Sequence, residues 1–326
     1  MNDPLIYVRA IHYAATVSVA GAAFFIVFIA EPAFGAPDPD TRLPALLRPR
    51  LAWITWIGLL LTVISGAAWL VVIAQSMSER SLADVFSEGI VWTVLSQTGF
   101  GRAWLDRFVL ACLLAAMFVP FLSAQRMKSM WIKSVVVALA AGLVGALAWA
   151  GHAVGGAGAE GVLHPTADFV HLVAAAAWVG TLLPLALLLA AAGHDAASVA
   201  IARVATVRFS AFGVASVATL LVTGSINTWY LAGSVSALTE TDYGRLLLAK
   251  VALFLGMVAI AAVNRLRLTP RLVHDASAAG SAAALRQLRR NTAIEVALGA
   301  VIIAVVAVLG TNPPGFEALT HANHFH

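Results

Sequence analysis

Long apolar segments recur along the whole chain, separated by short polar stretches. The pattern predicts eight membrane-spanning helices, at residues 5–29, 51–74, 103–123, 132–151, 166–191, 209–232, 245–264 and 293–310. About 20 consecutive apolar residues cross the hydrocarbon core, because each helical residue rises about 1.5 Å. Backbone polar groups must then be satisfied within the helices. We therefore predict an all-α polytopic membrane protein.

The composition supports this class. Hydrophobic residues make up 61% of the 326 residues and charged residues only 11%, unlike a soluble domain. We interpret the first segment as a membrane helix, because it has no basic start and no small-residue cleavage site before Glu31 and Pro32. The single cysteine, Cys112, excludes a disulfide framework and a CxxC metal motif.

Basic residues are distributed unequally between the two predicted faces. Fourteen of the twenty lie on one face: Arg42, Arg48, Arg50, Arg126, Lys128, Lys133, Arg203, Arg208, Arg265, Arg267, Arg271, Arg286, Arg289 and Arg290. Because cytoplasmic loops carry the excess of Lys and Arg, we expect this face inside and both termini outside. The net charge of +4 follows from this bias, so no nucleic-acid partner is expected.

The two halves of the chain resemble each other. Residues 100–107 (FGRAWLDR) match residues 243–250 (YGRLLLAK), Ser65-Gly66 matches Thr223-Gly224, and one histidine lies early in the first helix of each half. We predict two tandem four-helix repeats, 1–151 with an outer loop at about 75–101, and 152–315, followed by a tail at 316–326. Two such repeats share an orientation across the membrane. A chance match between apolar helices is the alternative.

Histidines concentrate on the predicted outer face. His164, Asp168 and His171 have the spacing i, i+4 and i+7, which places them on one helical stripe. Imidazole suits copper, zinc, iron and nickel, and ionisable groups in membrane helices indicate function. The predicted metal ligands are His12, His152, His164, Asp168 and His171, and the tail histidines His321, His324 and His326 are predicted to capture ions weakly.

Other interpretations of these residues stay open at this point. The histidines near the surface are also explained as interfacial residues in contact with water. Asp168 is alternatively explained as the partner of Arg9 or Lys250 in a buried salt bridge between the halves. Tryptophans near helix ends are interpreted as an interfacial aromatic belt: Trp53, Trp56, Trp69, Trp104, Trp131, Trp149 and Trp229.

Several segments together resemble the CopD family of bacterial copper-resistance membrane proteins. They are Gly151-His152-Ala, the stretch from His164 to Trp178-Val-Gly180, the 243–250 motif, and residues 264–270 (NRLRLTP). The resemblance spans about residues 5–315. It implies a multi-pass inner-membrane protein that takes copper from the periplasm and imports it, with a soluble periplasmic copper carrier as donor.

Copper is not the only cofactor that the residues accommodate. Thiolate and thioether ligands select Cu(I), and the chain has one thiol and no helical methionine stripe. The alternative is a b-type haem protein for electron transfer, with His12 and His171 as axial ligands and Lys250 near the haem propionates.

No enzyme activity is expected. The chain has no nucleophile paired with a base, no phosphate-binding loop and no nucleotide fingerprint. The apolar helices imply membrane lipid as a partner, the family resemblance implies a copper carrier, and neither nucleotide nor nucleic acid is expected. Any transport is then passive or coupled to an ion gradient.

Overall fold

The structure is a computed structural model of the chain, and it describes residues 3–35, 42–121, 129–150, 160–193, 195–274 and 278–313. Within these ranges all regular structure is helical. The prediction of an all-α architecture is confirmed.

Eight helices of sixteen or more residues form the described part of the fold. They are α1 (Pro4–Phe25), α2 (Leu43–Ser78), α3 (Gly99–Phe121), α4 (Met130–Gly145), α5 (Glu160–Ala191), α6 (Ala196–Ala232), α7 (Asp242–Val263) and α8 (Ala278–Leu309). Each coincides with one predicted segment. Short turns extend three of them: π-helices at Ile26–Ala30 and Asn264–Leu268 follow α1 and α7, and a 3-10 helix at Ala146–Ala150 follows α4.

Seven of these segments are long and apolar enough to cross a membrane. The remaining one, α3, carries Arg102, Asp106 and Arg107 within its first nine positions, which shortens its apolar stretch. The structure therefore supports a multi-pass membrane protein with seven candidate spans among the described residues. The eighth crossing and the positions of the termini stay predictions.

Two helices begin much earlier than their hydrophobic pattern indicates. Helix α6 begins at Ala196 rather than near residue 209, because the carboxylate of Asp195 accepts a hydrogen bond from the Ser198 backbone N–H and caps the helix. Helix α8 begins at Ala278 rather than near residue 293, and its early residues Leu285 and Leu288 are buried in the core. Apolar length marks the membrane crossing, whereas caps and packing set the helix ends.

Helix α1 lies at the centre of the bundle and packs against α2, α4, α5 and α8. It contacts α5 most closely at Gly21 and Gly180, where a Cβ atom on either glycine would overlap the backbone of the other helix. Small residues permit this approach of helices in membranes. This glycine contact joins the first helix of one predicted repeat to the first helix of the other.

One end of the bundle, here called the basic end, is held by arginines that reach between helices. Arg48 forms a salt bridge with Glu31 at 3.2 Å. Four further arginines bond to other helices: Arg203 to Leu272 O, Arg208 to Phe28 O, Arg265 to Ser210 Oγ, and Arg289 to the carbonyl oxygens of Leu189 and Ala192. The opposite end carries His12, His164 and His171 and is called the histidine end.

The predicted outer loop at 75–101 contains two short helices, Leu82–Ser87 and Ile90–Gln97. Val85 and Val94 from these helices are buried against α2. The aromatic-belt interpretation is wrong for Trp69, which is only 1% exposed and lies among buried aromatic and basic side chains. Trp53, Trp131 and Trp229 are exposed, as a belt requires.

Candidate functional site

His171 is fixed by the helix that follows its own. Its Nδ1 atom lies 3.0 Å from the hydroxyl oxygen of Thr223 on α6. The imidazole packs against Gly224, where a Cβ atom would come within 3.5 Å of the ring. A Cβ atom at this distance would make an ordinary van der Waals contact, so the hydroxyl of Thr223 is the group that orients the ring. The other ring nitrogen, Nε2, takes no part in this contact.

Two further pairs continue this contact toward the ends of α5 and α6. Asp168 Oδ1 accepts a hydrogen bond of 3.0 Å from Asn227 Nδ2. The ring of His164 stacks on Tyr230, with centroids 5.1 Å apart and planes 15° apart. The three pairs form what we call the α5–α6 ladder: His171–Thr223, Asp168–Asn227 and His164–Tyr230.

The ladder follows from matching sequence periods on two antiparallel helices. Its α5 members lie at 164, 168 and 171, and its α6 members at 223, 227 and 230, so both sets have the spacing i, i+4 and i+7. Residues at this spacing share one helix face. The first set was predicted from the sequence. In the second set, Tyr230 was missed, and the repeated spacing in α6 was the signal that could have identified it.

Lys250 on α7 lies close enough to the ladder to interact electrostatically with both Asp168 and His171. No salt bridge within 4.0 Å joins Lys250 to Asp168 in the described part of the chain. Arg9 is not the partner of Asp168 either, because it donates hydrogen bonds to Gly310 O at 2.6 Å and Tyr13 OH at 2.9 Å. The carboxylate of Asp168 therefore accepts a hydrogen bond from the Asn227 amide and is attracted electrostatically by the Lys250 ammonium group.

The first half contains an equivalent histidine contact. His12 Nδ1 lies 3.0 Å from Ser65 Oγ on α2, and a Cβ atom on Gly66 would come within 3.3 Å of the imidazole. The indole N–H of Trp104 donates to Gly66 O at 2.7 Å. His12, Gly66 and Trp104 line a cavity of about 10 Å³, about enough for one water molecule.

The surroundings of His12 are positively charged. The guanidinium carbons of Arg9 and Arg107 lie 5.2 and 5.4 Å from the ring centroid of Trp69. The His12 ring meets the same indole edge-on, with centroids 5.4 Å apart. Arg107 is 3% exposed, and none of its three guanidinium nitrogens has a hydrogen-bond partner among the described residues. The first-half pocket is thus a cationic and aromatic site.

The predicted metal ligands do not converge on one point in the described residues. No group of three or more His, Cys, Asp or Glu side chains is arranged there to hold a metal ion. His12 contacts α2 and His171 contacts α6, so each histidine belongs to a different helix pair. These contacts give no support to a haem shared by the two histidines. His152, His321, His324 and His326 lie outside the described residues.

The chain matches known copper-resistance proteins over most of its length. It matches the family described as copper resistance protein D over residues 203–309, and the one described as copper resistance protein D-like, N-terminal domain, over residues 1–164. It is 32% identical to copper resistance protein D of Pseudomonas syringae pv. tomato, over 98% of this chain and 99% of that protein.

Two other relatives have related names. The chain is 31% identical to the inner membrane protein YebZ of Escherichia coli (strain K12), over 95% of this chain and 98% of that protein. It is 29% identical to the copper transport protein CutJ of Bacillus subtilis (strain 168), over 56% of this chain and 33% of that protein. No solved structure is significantly similar to the chain.

The apolar helices and these relatives define the class: the chain is a multi-pass protein of the bacterial inner membrane. It belongs to the copper resistance protein D family. The resemblance stated from the sequence is thereby confirmed.

Proposed function

We propose that the chain binds copper from the periplasm at the α5–α6 ladder and passes the ion across the inner membrane toward the cytoplasm. The ladder is the observation that carries this proposal, because it presents two imidazoles and one carboxylate, each held by a side chain of α6. Imidazole binds copper, and a carboxylate serves as a ligand or orients one. Membership of the copper resistance protein D family is the reason for proposing copper as the metal.

We assign the copper ligands to the second half and omit His12. Arg9 and Arg107 lie beside Trp69, next to His12, without a carboxylate to balance them among the described hydrogen bonds. Two positive charges near an imidazole oppose a metal cation. The ladder instead contains Asp168. His12 is then a structural counterpart of His171.

The ladder favours a moving ion over a resident one. His164, Asp168 and His171 are spaced along one helix stripe and do not converge on one point. Such side chains bind an ion through few ligands at a time. Conduction needs sites that bind well enough for entry and weakly enough for exit. We propose that copper passes from His164 and Asp168 to His171. His152, twelve residues before His164 in the sequence, is a further candidate ligand at the entrance.

We further propose eight crossings with both termini in the periplasm. The 23 residues of α3 span about 34 Å as a helix, enough to cross the hydrocarbon core. Helix α3 also packs against α4, which itself qualifies as a span. With this topology the basic end lies in the cytoplasm, where the excess of Lys and Arg belongs.

A soluble periplasmic copper carrier is the proposed donor. The tail histidines His321, His324 and His326 then lie on the donor's side of the membrane and capture ions weakly. The proposal includes no catalysed reaction, because the ion is carried and not transformed.

The test is copper uptake into proteoliposomes that contain the purified protein. Wild-type protein should accumulate copper, and Asp168→Asn and His171→Gln should lower the initial rate at least about tenfold. Asp242→Asn is the matched control, since Asp242 is exposed and forms a surface salt bridge with Arg245. Uptake equal to wild type in both ladder variants would overturn the proposed route.

A visible spectrum of the same preparation separates copper from haem. Copper binding without a Soret band is the expected result. A Soret band with stoichiometric iron would replace the copper proposal with the haem alternative.

A further inference from the structure

A second buried polar site lies toward the basic end, away from the ladder. Glu295 on α8 is 0% exposed, and its Oε2 atom accepts a hydrogen bond of 3.0 Å from Asn264 Nδ2. Its Oε1 atom has no partner among the described residues. Glu295 lies five residues beyond Arg290, about 8 Å along the helix axis. No salt bridge joins Glu295 to an arginine among the described residues.

A chain of amides fixes the orientation of Asn264. Asn291 Nδ2 donates to Asn264 Oδ1 at 2.6 Å, and Gln287 Nε2 donates to Asn291 Oδ1 at 2.8 Å. Asn264 must therefore direct its NH₂ group at Glu295. It is also the first residue of the π-helix Asn264–Leu268, whose extra residue widens the turn, and such turns occur often at functional sites.

A cavity of about 300 Å³ adjoins this network. It lies between α5, α6, α7 and α8, and its walls include Asn264, Thr269 and Thr292. Thr292 lies three residues before Glu295 on α8, so the carboxyl group and the cavity are about one helical turn apart. Thr206, Ser210 and Arg265 also line the cavity, and its other walls are apolar. The cavity extends from Asn264 and Thr292 to Thr206 and Arg265, toward the basic end.

Among the described residues, no salt bridge joins Glu295 to a charged side chain of a neighbouring element. The basic residues near this end are exposed or bond elsewhere: Arg265 to Ser210, Arg289 to Leu189 and Ala192, and Arg267, Arg271, Arg286 and Arg290 exposed. On α1, α5 and α7 the titratable side chains that the structure describes lie at the histidine end, namely Tyr7, Arg9, His12, Tyr13, His164, Asp168, His171, Asp242, Tyr243, Arg245 and Lys250. A buried carboxylate without a counter-charge is costly, and protonation removes the cost.

We propose that Glu295 is a proton-binding site whose proton exchanges with the cytoplasm through this cavity and is coupled to copper movement. A proton fits better than a metal cation. Asn264 offers Glu295 a donor, and its own oxygen is already engaged by Asn291, so the described residues supply one free oxygen and no cage of ligands. The coupling rests on the proposed copper transport, whereas the proton site does not.

The proton site is tested first, by infrared spectroscopy of the purified protein at neutral pH. Wild type should show the C=O band of a buried carboxylic acid, shifted by deuterium exchange and by ¹³C-labelled glutamate. Glu295→Gln should remove this band. Glu31→Gln should keep it, since Glu31 is the carboxylate at the same end that pairs with Arg48. Absence of a ¹³C-sensitive band from wild type would overturn the proton site without reference to any variant.

The coupling is tested in proteoliposomes with copper ions as the probe and an imposed pH gradient. The gradient should change wild-type copper uptake at least about fivefold, and Glu295→Gln should abolish the dependence while copper binding in detergent stays within about twofold. Wild-type copper uptake that does not change with the pH gradient would overturn the coupling. It would not contradict copper transport. Without any wild-type uptake, the transport proposal fails and the infrared result alone decides the proton site.

Discussion

The Nδ1 atom of His171 lies 3.0 Å from the hydroxyl oxygen of Thr223. This contact occupies one ring nitrogen and holds the imidazole against α6. In the first half, His12 and Ser65 are related in the same way at the same distance. Each histidine thus has its own hydroxyl partner, and the two differ in the charges around them. They can therefore be compared directly.

Thr223→Val should weaken copper binding by about tenfold, because the loss of an orienting partner lowers metal affinity by about 10- to 100-fold. Equilibrium titration of the purified protein with copper measures the change. Thr219→Val is the control, since the Thr219 hydroxyl bonds only to Ala215 O within its own helix. Equal affinity in Thr223→Val and wild type would show that the hydroxyl does not orient a ligand.

Asp168→Asn should lower copper affinity at least about tenfold, because it removes the negative charge and keeps the shape of the side chain. The hydrogen bond to Asn227 can be retained by the new amide oxygen, so the fold should be unchanged. Copper titration and the melting temperature in detergent separate the two effects. A fall in melting temperature with unchanged affinity would assign Asp168 a structural role.

Lys250→Met should strengthen copper binding by about fivefold, since Lys250 is close enough to Asp168 and His171 to repel a cation bound there. The same titration measures it, preferably at low salt. Lys133→Met on α4, outside the ladder, should leave affinity unchanged. Weaker binding in Lys250→Met would instead make the ammonium group a part of the site.

Gly21→Ala should destabilise the bundle by about 1–3 kcal/mol, because the added methyl group overlaps the backbone at Gly180 and the helices must separate. Thermal unfolding in detergent reports the loss. Gly256→Ala on α7 is the matched control, since a Cβ there meets no atom within 4 Å. An unchanged melting temperature for Gly21→Ala would mean that the α1–α5 contact is not a tight one in solution.

Much of the fold was predictable from hydrophobic length. All eight apolar segments coincide with helices, because a bilayer crossing requires a continuous apolar stretch. The early starts of α6 and α8 were not predictable from that pattern, since Asp195 caps one and the packing of Leu285 and Leu288 extends the other. The position of Trp69 was misjudged for a similar reason, because only three-dimensional packing places it between two arginines.

The site was predictable in part. The period of His164, Asp168 and His171 located one side of the ladder. The match of Ser65-Gly66 with Thr223-Gly224 was interpreted only as part of the repeat, and the structure shows that its hydroxyl residues are the partners of both histidines. Arg9 lies three residues before His12, so the spacing indicated one cation beside this histidine, whereas only packing brings Arg107 to the same indole. The hydrogen bond between Asn264 and Glu295 joins residues 31 positions apart, so no local sequence pattern predicts it.

The central claim is that copper binds in the second half, at His171, and not at His12. It is tested most directly by copper titration of His171→Gln and His12→Gln, two variants that each replace an imidazole bonded to a hydroxyl at 3.0 Å. The account predicts at least about a tenfold loss of affinity for His171→Gln and no more than about a twofold change for His12→Gln. Loss of binding in His12→Gln with normal binding in His171→Gln would contradict it.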